Sequence, residues 1–178
     1  MHTLIRWTAL AAALPFVSLG QDRQPYVDPG MGKIVQVAIV CKDIEACSAR
    51  WAEVLGVKRG EINTTRPGHE VQVLYRGKPS EGRAKLSFYQ TGQTVLELIQ
   101  PVGGDTSWKD FLDKNGEGVQ HIAFQVADME KTLESLRQQG MPLLHRGRYD
   151  SNDGEYAYVD SRDKLGVTIE LLHSDKKQ

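Results

Sequence analysis

Gln36-Val-Ala-Ile-Val-Cys-Lys-Asp43-Ile-Glu45 and His121-Ile-Ala-Phe-Gln-Val-Ala-Asp128-Met-Glu130 align without a gap at an offset of 85 residues, and this self-similarity decides the fold. Each copy starts as a strand and runs into a helix. Asp43 and Asp128 stand where an N-cap carboxylate accepts orphan backbone N–H groups. Helical spacing follows in both: Ile44, Cys47, Trp51, Val54 and Leu55 in the first copy, Met129, Leu133 and Leu136 in the second. Gly56 and Gly140 are placed to end the two helices.

Both copies close on a similar strand, Thr94-Val-Leu-Glu97-Leu-Ile99 and Val167-Thr-Ile-Glu170-Leu-Leu172. Between helix and closing strand lie further strand candidates, Val71 to Tyr75 and Ala84 to Tyr89 in the first half, Pro142 to His145 and Glu155 to Val159 in the second. The expected class is α+β: two tandem β-α-β-β-β modules, 33–101 and 119–173, forming one curved sheet. Trp108, Phe111 and Leu112, at helical spacing before Asn115-Gly116, predict a helical connector over 105–115.

Strand alternation sorts the polar residues. Val35, Val37 and Ile39 share one face, with Gln36 opposite; Val167, Ile169 and Leu171 share another, with Glu170 opposite. Glu97 lies opposite Leu96 and Leu98, and His121 opposite Ile122 and Phe124. Taken singly, such a Glu usually faces solvent and such a His is usually satisfied locally. Their equivalence in two repeats favours a joint role. Gln36, Glu97, His121 and Glu170 offer three oxygens and a nitrogen, a set suited to a divalent ion such as Mg, Mn, Co, Ni or Zn with water completing the shell.

Working outward, Met1 to Arg6 carries one fixed positive charge, Trp7 to Val17 is a largely apolar run, and Ser18-Leu19-Gly20 supplies small residues before a cut. This reads as a signal peptide over residues 1–20, with export to the periplasm or beyond. The run is too short for a membrane span, so the mature chain is expected to have none. Gln21 to Gly32 reads as a leader and residues 174–178 as a tail. The whole chain has 178 residues with 22 Lys plus Arg against 23 Asp plus Glu and two cysteines. Loss of Arg6 with the signal leaves 21 basic against 23 acidic side chains, a net charge of −2. No basic field suits nucleic acid, and two cysteines cannot build a disulfide scaffold.

The residues resemble the vicinal oxygen chelate superfamily, which includes glyoxalase I, methylmalonyl-CoA epimerase, extradiol dioxygenases and bleomycin-resistance binding proteins. The likeness spans about residues 33–173. Leu96-Glu97-Leu-Ile-Gln-Pro101, Phe111-Leu112 and Asn115-Gly-Glu-Gly-Val-Gln-His121-Ile look most like the epimerase-like members. The resemblance implies a half-barrel around one divalent ion, ligated by Gln36, Glu97, His121 and Glu170. Epimerases more often carry His where Gln36 stands, whereas Gln/Glu/His/Glu resembles zinc-type glyoxalase I. Isomerase and lyase therefore both stay open, sharing proton movement beside a carbonyl through a metal-stabilised enediolate. Glu170 is the expected base. Glu97 is the candidate second acid or base, with Glu70 and Glu81 in an unaligned loop. A small carboxylate or carbonyl substrate and a homodimer are also implied. The alternative is a non-catalytic, small-molecule sequestering protein. A dioxygenase ranks third, since its iron would want a second His.

Other features are less specific. Tyr75-Arg76-Gly77-Lys78-Pro79 and Arg146-Gly147-Arg148-Tyr149 are anion-clamp candidates or solvated turns. Tyr156 and Tyr158 alternate on a strand, so one is expected to line the cavity. His69, His145 and His173 fall in or beside predicted loops and are left out of the site. Cys41 and Cys47 read as small core residues, with a disulfide in an oxidising compartment as the lesser alternative. Asn63-Thr-Thr65 matches a glycosylation acceptor, relevant only in a eukaryotic secretory pathway.

Overall fold

A computed structural model describes residues 29–176; the signal-peptide reading of residues 1–20 lies outside them. The chain runs β1 (Met31–Val40), α1 (Ile44–Leu55), β2 (Asn63–Thr64), β3 (Leu74–Tyr75), β4 (Lys78–Pro79), β5 (Arg83–Gln90) and β6 (Val95–Gly103). It continues through α2 (Ser107–Asn115), β7 (Gly118–Val126), α3 (Met129–Gln138), β8 (Leu143–Arg148), β9 (Gly154–Val159), α4 (Arg162–Leu165) and β10 (Thr168–Ser174). Caps set the helix starts. Asp43 accepts from the N–H groups of Glu45 and Ala46 at 3.0 and 3.2 Å, and Asp128 from Lys131 N at 3.0 Å. The connector helix begins at Ser107 because Thr106 is its cap, accepting from Lys109 N at 3.1 Å.

The strands join one sheet in the order β2-β5-β6-β1-β7-β10-β9-β8-β3-β4. β1 and β7 meet antiparallel at its centre, and each has a parallel partner, β6 for β1 and β10 for β7. Helices cover the outer face: α1 packs Ile44 and Cys47 against Leu96 and Leu98, and α3 packs Met129, Leu133 and Leu136 against Ile169 and Leu171. Each fully buried Ile or Leu side chain here contributes roughly 1.5–3 kcal/mol. The inner face is also filled. Val40, Ala84, Ile99 and Tyr158 pack there against Trp108 and Phe111 of α2.

Three sequence-based expectations are corrected. Val71 to Tyr75 forms a strand only at Leu74–Tyr75, and it serves the other half of the sheet: Leu74 pairs with Arg146 and Tyr75 with His145 on β8. The hairpin turns at Arg76 and Gly77, both with positive φ, and the segment is tied down by Arg76 N to Leu144 O and Arg148 N to Val71 O, each 2.8 Å. Residues 65–82 thus strap across from the first module and cover an edge that β8 would otherwise leave unpaired. Cys41 and Cys47 form a disulfide. The Asp43-capped entry into α1 folds the chain back on the end of β1 and sets their Cα atoms 6.2 Å apart, within bridging range. His145 sits in β8 and is wholly buried rather than beside a loop.

Candidate active site

Gln36, Glu97, His121 and Glu170 meet on the inner face, each supplied by one of the four central strands. The register explains how they fit. Ala38 stands opposite both Glu97 and His121, and Ala123 opposite both Gln36 and Glu170. Two methyl groups, both fully buried, therefore floor the site and leave the space above to the four polar side chains. His121 Nε2 lies 3.2 Å from Glu97 Oε2 and 3.2 Å from Glu170 Oε2. Gln36 Nε2 donates to Glu97 Oε2 at 2.8 Å and, more loosely, to Glu170 Oε2 at 3.4 Å. All four come from a single chain.

The site is buried and charged. Glu97, His121 and Glu170 are at most 5% exposed, and His121 Nε2 lacks a properly directed hydrogen bond despite its carboxylate neighbours. Burial pushes the Glu97 carboxyl up, against the pull of His121. Burial alone would lower the His121 pKa, but Glu170 and Glu97 outweigh it and carry the imidazole up to about 9. A buried pair of carboxylates needs a cation; a proton on His121 supplies one, and a metal ion is the alternative. The other face of the ring is already fixed. His121 Nδ1 stands 2.5 Å from the Oε1 of buried Gln120; an amide oxygen only accepts, so Nδ1 carries the proton and Nε2 is left for the carboxylates or an ion.

The donor set fits a divalent ion in kind once the Gln36 amide turns over, since here its Nε2 rather than its oxygen faces the carboxylates. In spacing it stands slightly open: among the described residues, the trio of His, Cys, Asp or Glu whose ligand atoms all lie within 4.8 Å is Cys41, Cys47 and Glu117, and those sulfurs are joined to each other. In front of the quartet lies a cavity of about 380 Å³, reached by Gln36, Glu97 and Glu170 and walled by Trp108, Tyr156 and Tyr158.

The family model for the glyoxalase/bleomycin resistance protein/dioxygenase superfamily matches residues 35–159. The chain belongs to this superfamily. It is 26% identical over 144 residues to ethylmalonyl-CoA/methylmalonyl-CoA epimerase of Cereibacter sphaeroides, covering 79% of this chain and 97% of the relative. It is 25% identical over 172 residues to human mitochondrial methylmalonyl-CoA epimerase, covering 93% and 90%. Among solved structures, a Streptomyces coelicolor methylmalonyl-CoA epimerase variant in complex with 2-nitronate-propionyl-CoA superposes with a TM-score of 0.57 at 26% identity, over 82% of this chain and 99% of the other. These likenesses support an enzyme of the isomerase type, and the α+β half-barrel is the superfamily's fold.

Around the quartet stand residues that pattern reading did not single out. Gln120 is one, next to His121 where the β1–β7 register slips; Ala38 and Ala123 are two more, and the signal for these two is alternation, since each shares a face with a quartet member. His145 is a fourth. Its ring stacks on Tyr158 at 5.2 Å, its Nδ1 lies 3.1 Å from Ser107 Oγ, and burial holds its pKa down at about 3, so it is neutral. Both Tyr156 and Tyr158, not one of them, line the cavity, and Tyr158 stands opposite Glu170 in the β9–β10 register. Other candidates point elsewhere. Glu70 pairs with Arg66 and Glu81 with His69, all well exposed. Arg76 is engaged with Tyr75 and Asp110, and His173 Nδ1 faces Val126 O at 3.2 Å.

Proposed function

We propose that this superfamily member is a divalent-metal-dependent isomerase that moves a proton on the carbon beside a carbonyl, with Gln36, Glu97, His121 and Glu170 holding the ion. The observation that carries this reading is the pair of buried carboxylates sharing one imidazole nitrogen that lacks a directed hydrogen bond. When bound, the ion supplies charge balance and Lewis-acid stabilisation of an enediolate. The chain's own residues do the rest. Glu170, which lines the cavity beside Tyr158, takes the proton and returns it. Glu97 is the second carboxylate within reach of the same space. Gln120 holds the His121 ring so that Nε2 faces inward. The aromatic wall keeps bulk water from the carbanionic carbon.

The same steps serve a lyase of the glyoxalase type; the epimerase relatives that align along most of this chain favour isomerisation. A location outside the cytoplasm is proposed with it, since the Cys41–Cys47 disulfide suits an oxidising compartment. No described helix is long and apolar enough to cross a membrane. A homodimer is the proposed assembly, although the quartet needs no partner to be complete.

The test is solvent deuterium exchange, with the ion at saturating concentration, across 2-substituted acyl thioesters and α-hydroxyketones. Exchange should require the ion and fall about 10²–10⁴-fold in Glu170→Gln. Exchange that survives Glu170→Gln unchanged, or no exchange with any compound, would overturn the reading.

A further inference from the structure

We infer that the substrate is a small α-hydroxycarbonyl compound with an uncharged aromatic or branched-alkyl substituent, bound whole inside the cavity without a coenzyme handle. This rests on the proton-transfer reading above and adds the substrate class to it. Three observations support it, of which the first and third are independent of the ligand set.

The first is the wall. Trp108, Tyr156 and Tyr158 form a mutually packed set, with ring centroids 6.2 Å apart for Trp108–Tyr156, 5.8 Å for Trp108–Tyr158 and 5.7 Å for Tyr156–Tyr158. These are separations at which aromatic rings attract, so the same surface can accept one more ring. Leu86 and Val73 continue the apolar lining.

The second is charge. Glu97 and Glu170 cancel the two charges of a divalent ion, so a neutral hydroxyketone head needs no further countercharge. The cavity's one lining cation among the described residues, Arg148, is already taken: its guanidinium donates to Asp175 Oδ2 at 2.5 Å, to Asn152 O at 2.8 Å and to Asn152 Oδ1 at 3.1 Å. Asp150 lines the same end. A phosphate or carboxylate tail would meet no free positive group there.

The third is enclosure. Val71 and Val73 of the strap line the cavity at 5% and 3% exposure, held by the bonds to β8 described above. A volume of about 380 Å³ lies at the small end of small-molecule sites. It suits a phenyl-bearing ketol, whereas the nucleotide of a coenzyme A thioester would have to lie outside the strap.

The chemistry balances without a co-reactant. The C–H bond at the carbinol carbon breaks and its proton goes to Glu170. The electron pair forms the enediolate double bond while the carbonyl π pair moves onto oxygen. Return of the proton from Glu170 to the neighbouring carbon, with the hydroxyl hydrogen passing from one enediolate oxygen to the other, gives the isomeric ketol.

The experiment is calorimetric titration of the ion-loaded full chain with three probes. Phenylacetylcarbinol and dihydroxyacetone phosphate share a hydroxyketone head and differ in the tail; methylmalonyl-CoA is the third. The carbinol should bind at least tenfold tighter than either. Asp175→Asn, which releases Arg148, should improve dihydroxyacetone phosphate binding severalfold and leave the carbinol within about twofold. Tighter binding of either anionic probe would overturn the inference. Glu170-dependent exchange into methylmalonyl-CoA with no carbinol binding would overturn the substrate class and leave proton transfer standing. Preferred carbinol binding with no exchange in any compound would support the class and count against proton transfer alone.

Discussion

Raising the pH of the ion-free protein from 6.5 to above 9 should destabilise it, and the size of the loss follows from the quartet's geometry. In the folded chain His121 keeps its proton up to about pH 9, against an ordinary value of 6.5, because two carboxylates lie 3.2 Å from Nε2. The folded state therefore binds more protons than the unfolded chain across that interval. A pKa raised on folding contributes stability that is complete below 6.5 and is lost as the pH climbs through 9. Each pH unit in the interval withdraws up to ~1.4 kcal/mol, about 3 kcal/mol in all. The raised Glu97 pKa acts with the same sign. An ion replaces the proton, so the ion-loaded protein should show a much flatter profile. Urea unfolding at half-unit pH steps, with chelator and with saturating ion, measures both curves, and His121→Asn provides the baseline for other titrating groups. Equal stability of the ion-free wild type at pH 6.5 and 9, relative to that baseline, would refute the reasoning.

Gln120→Leu removes the acceptor that orients the His121 ring and should weaken ion affinity about 10–100-fold without altering the far-ultraviolet circular dichroism; a competing fluorescent chelator reads the affinity. The Cys41–Cys47 bridge closes a loop of sequence separation six, so Cys41→Ala with Cys47→Ala should cost about 2 kcal/mol of unfolding free energy. Unfolded, unreduced wild type should titrate no free thiol. Gly104 has φ +61° and a Cβ there would lie 2.3 Å from Gly82 N, so Gly104→Ala should destabilise the chain by at least ~1–2 kcal/mol in thermal unfolding and loosen the strap beside it. Acidification below pH 6.5 should also cost stability through His145, whose pKa is lowered to about 3 by burial; a His145→Asn variant should lose less than wild type between pH 6.5 and 4.5.

What the repeat made legible was local in origin. Asp43 and Asp128 announce their helices because a cap depends on a few neighbouring N–H groups, and the four polar residues sort correctly because strand alternation needs only the parity of the chain. The illegible parts all depend on distance in space. The strap's two-residue strand β3 finds its partner on β8, about seventy residues away, and nothing local in Val71 to Tyr75 marks that choice. His145 is buried because Tyr75, Trp108 and Tyr158 converge on it from three separate elements. The disulfide depends on how sharply the chain turns at Asp43, which residue types alone do not set. Arg148 resembles a free anion clamp in sequence and is neutralised by Asp175 from the end of the chain.

The most direct test is ion stoichiometry by dialysis and elemental analysis of the full chain, with X-ray absorption of the bound ion. One ion per chain is expected, with nitrogen and oxygen ligands at ~2.0–2.2 Å including one imidazole, and it should be lost on replacing His121 with Ala. An ion-free chain after dialysis against each of Mg, Mn, Co, Ni and Zn, or an ion retained in that variant, would contradict the assignment of Gln36, Glu97, His121 and Glu170 as its ligands.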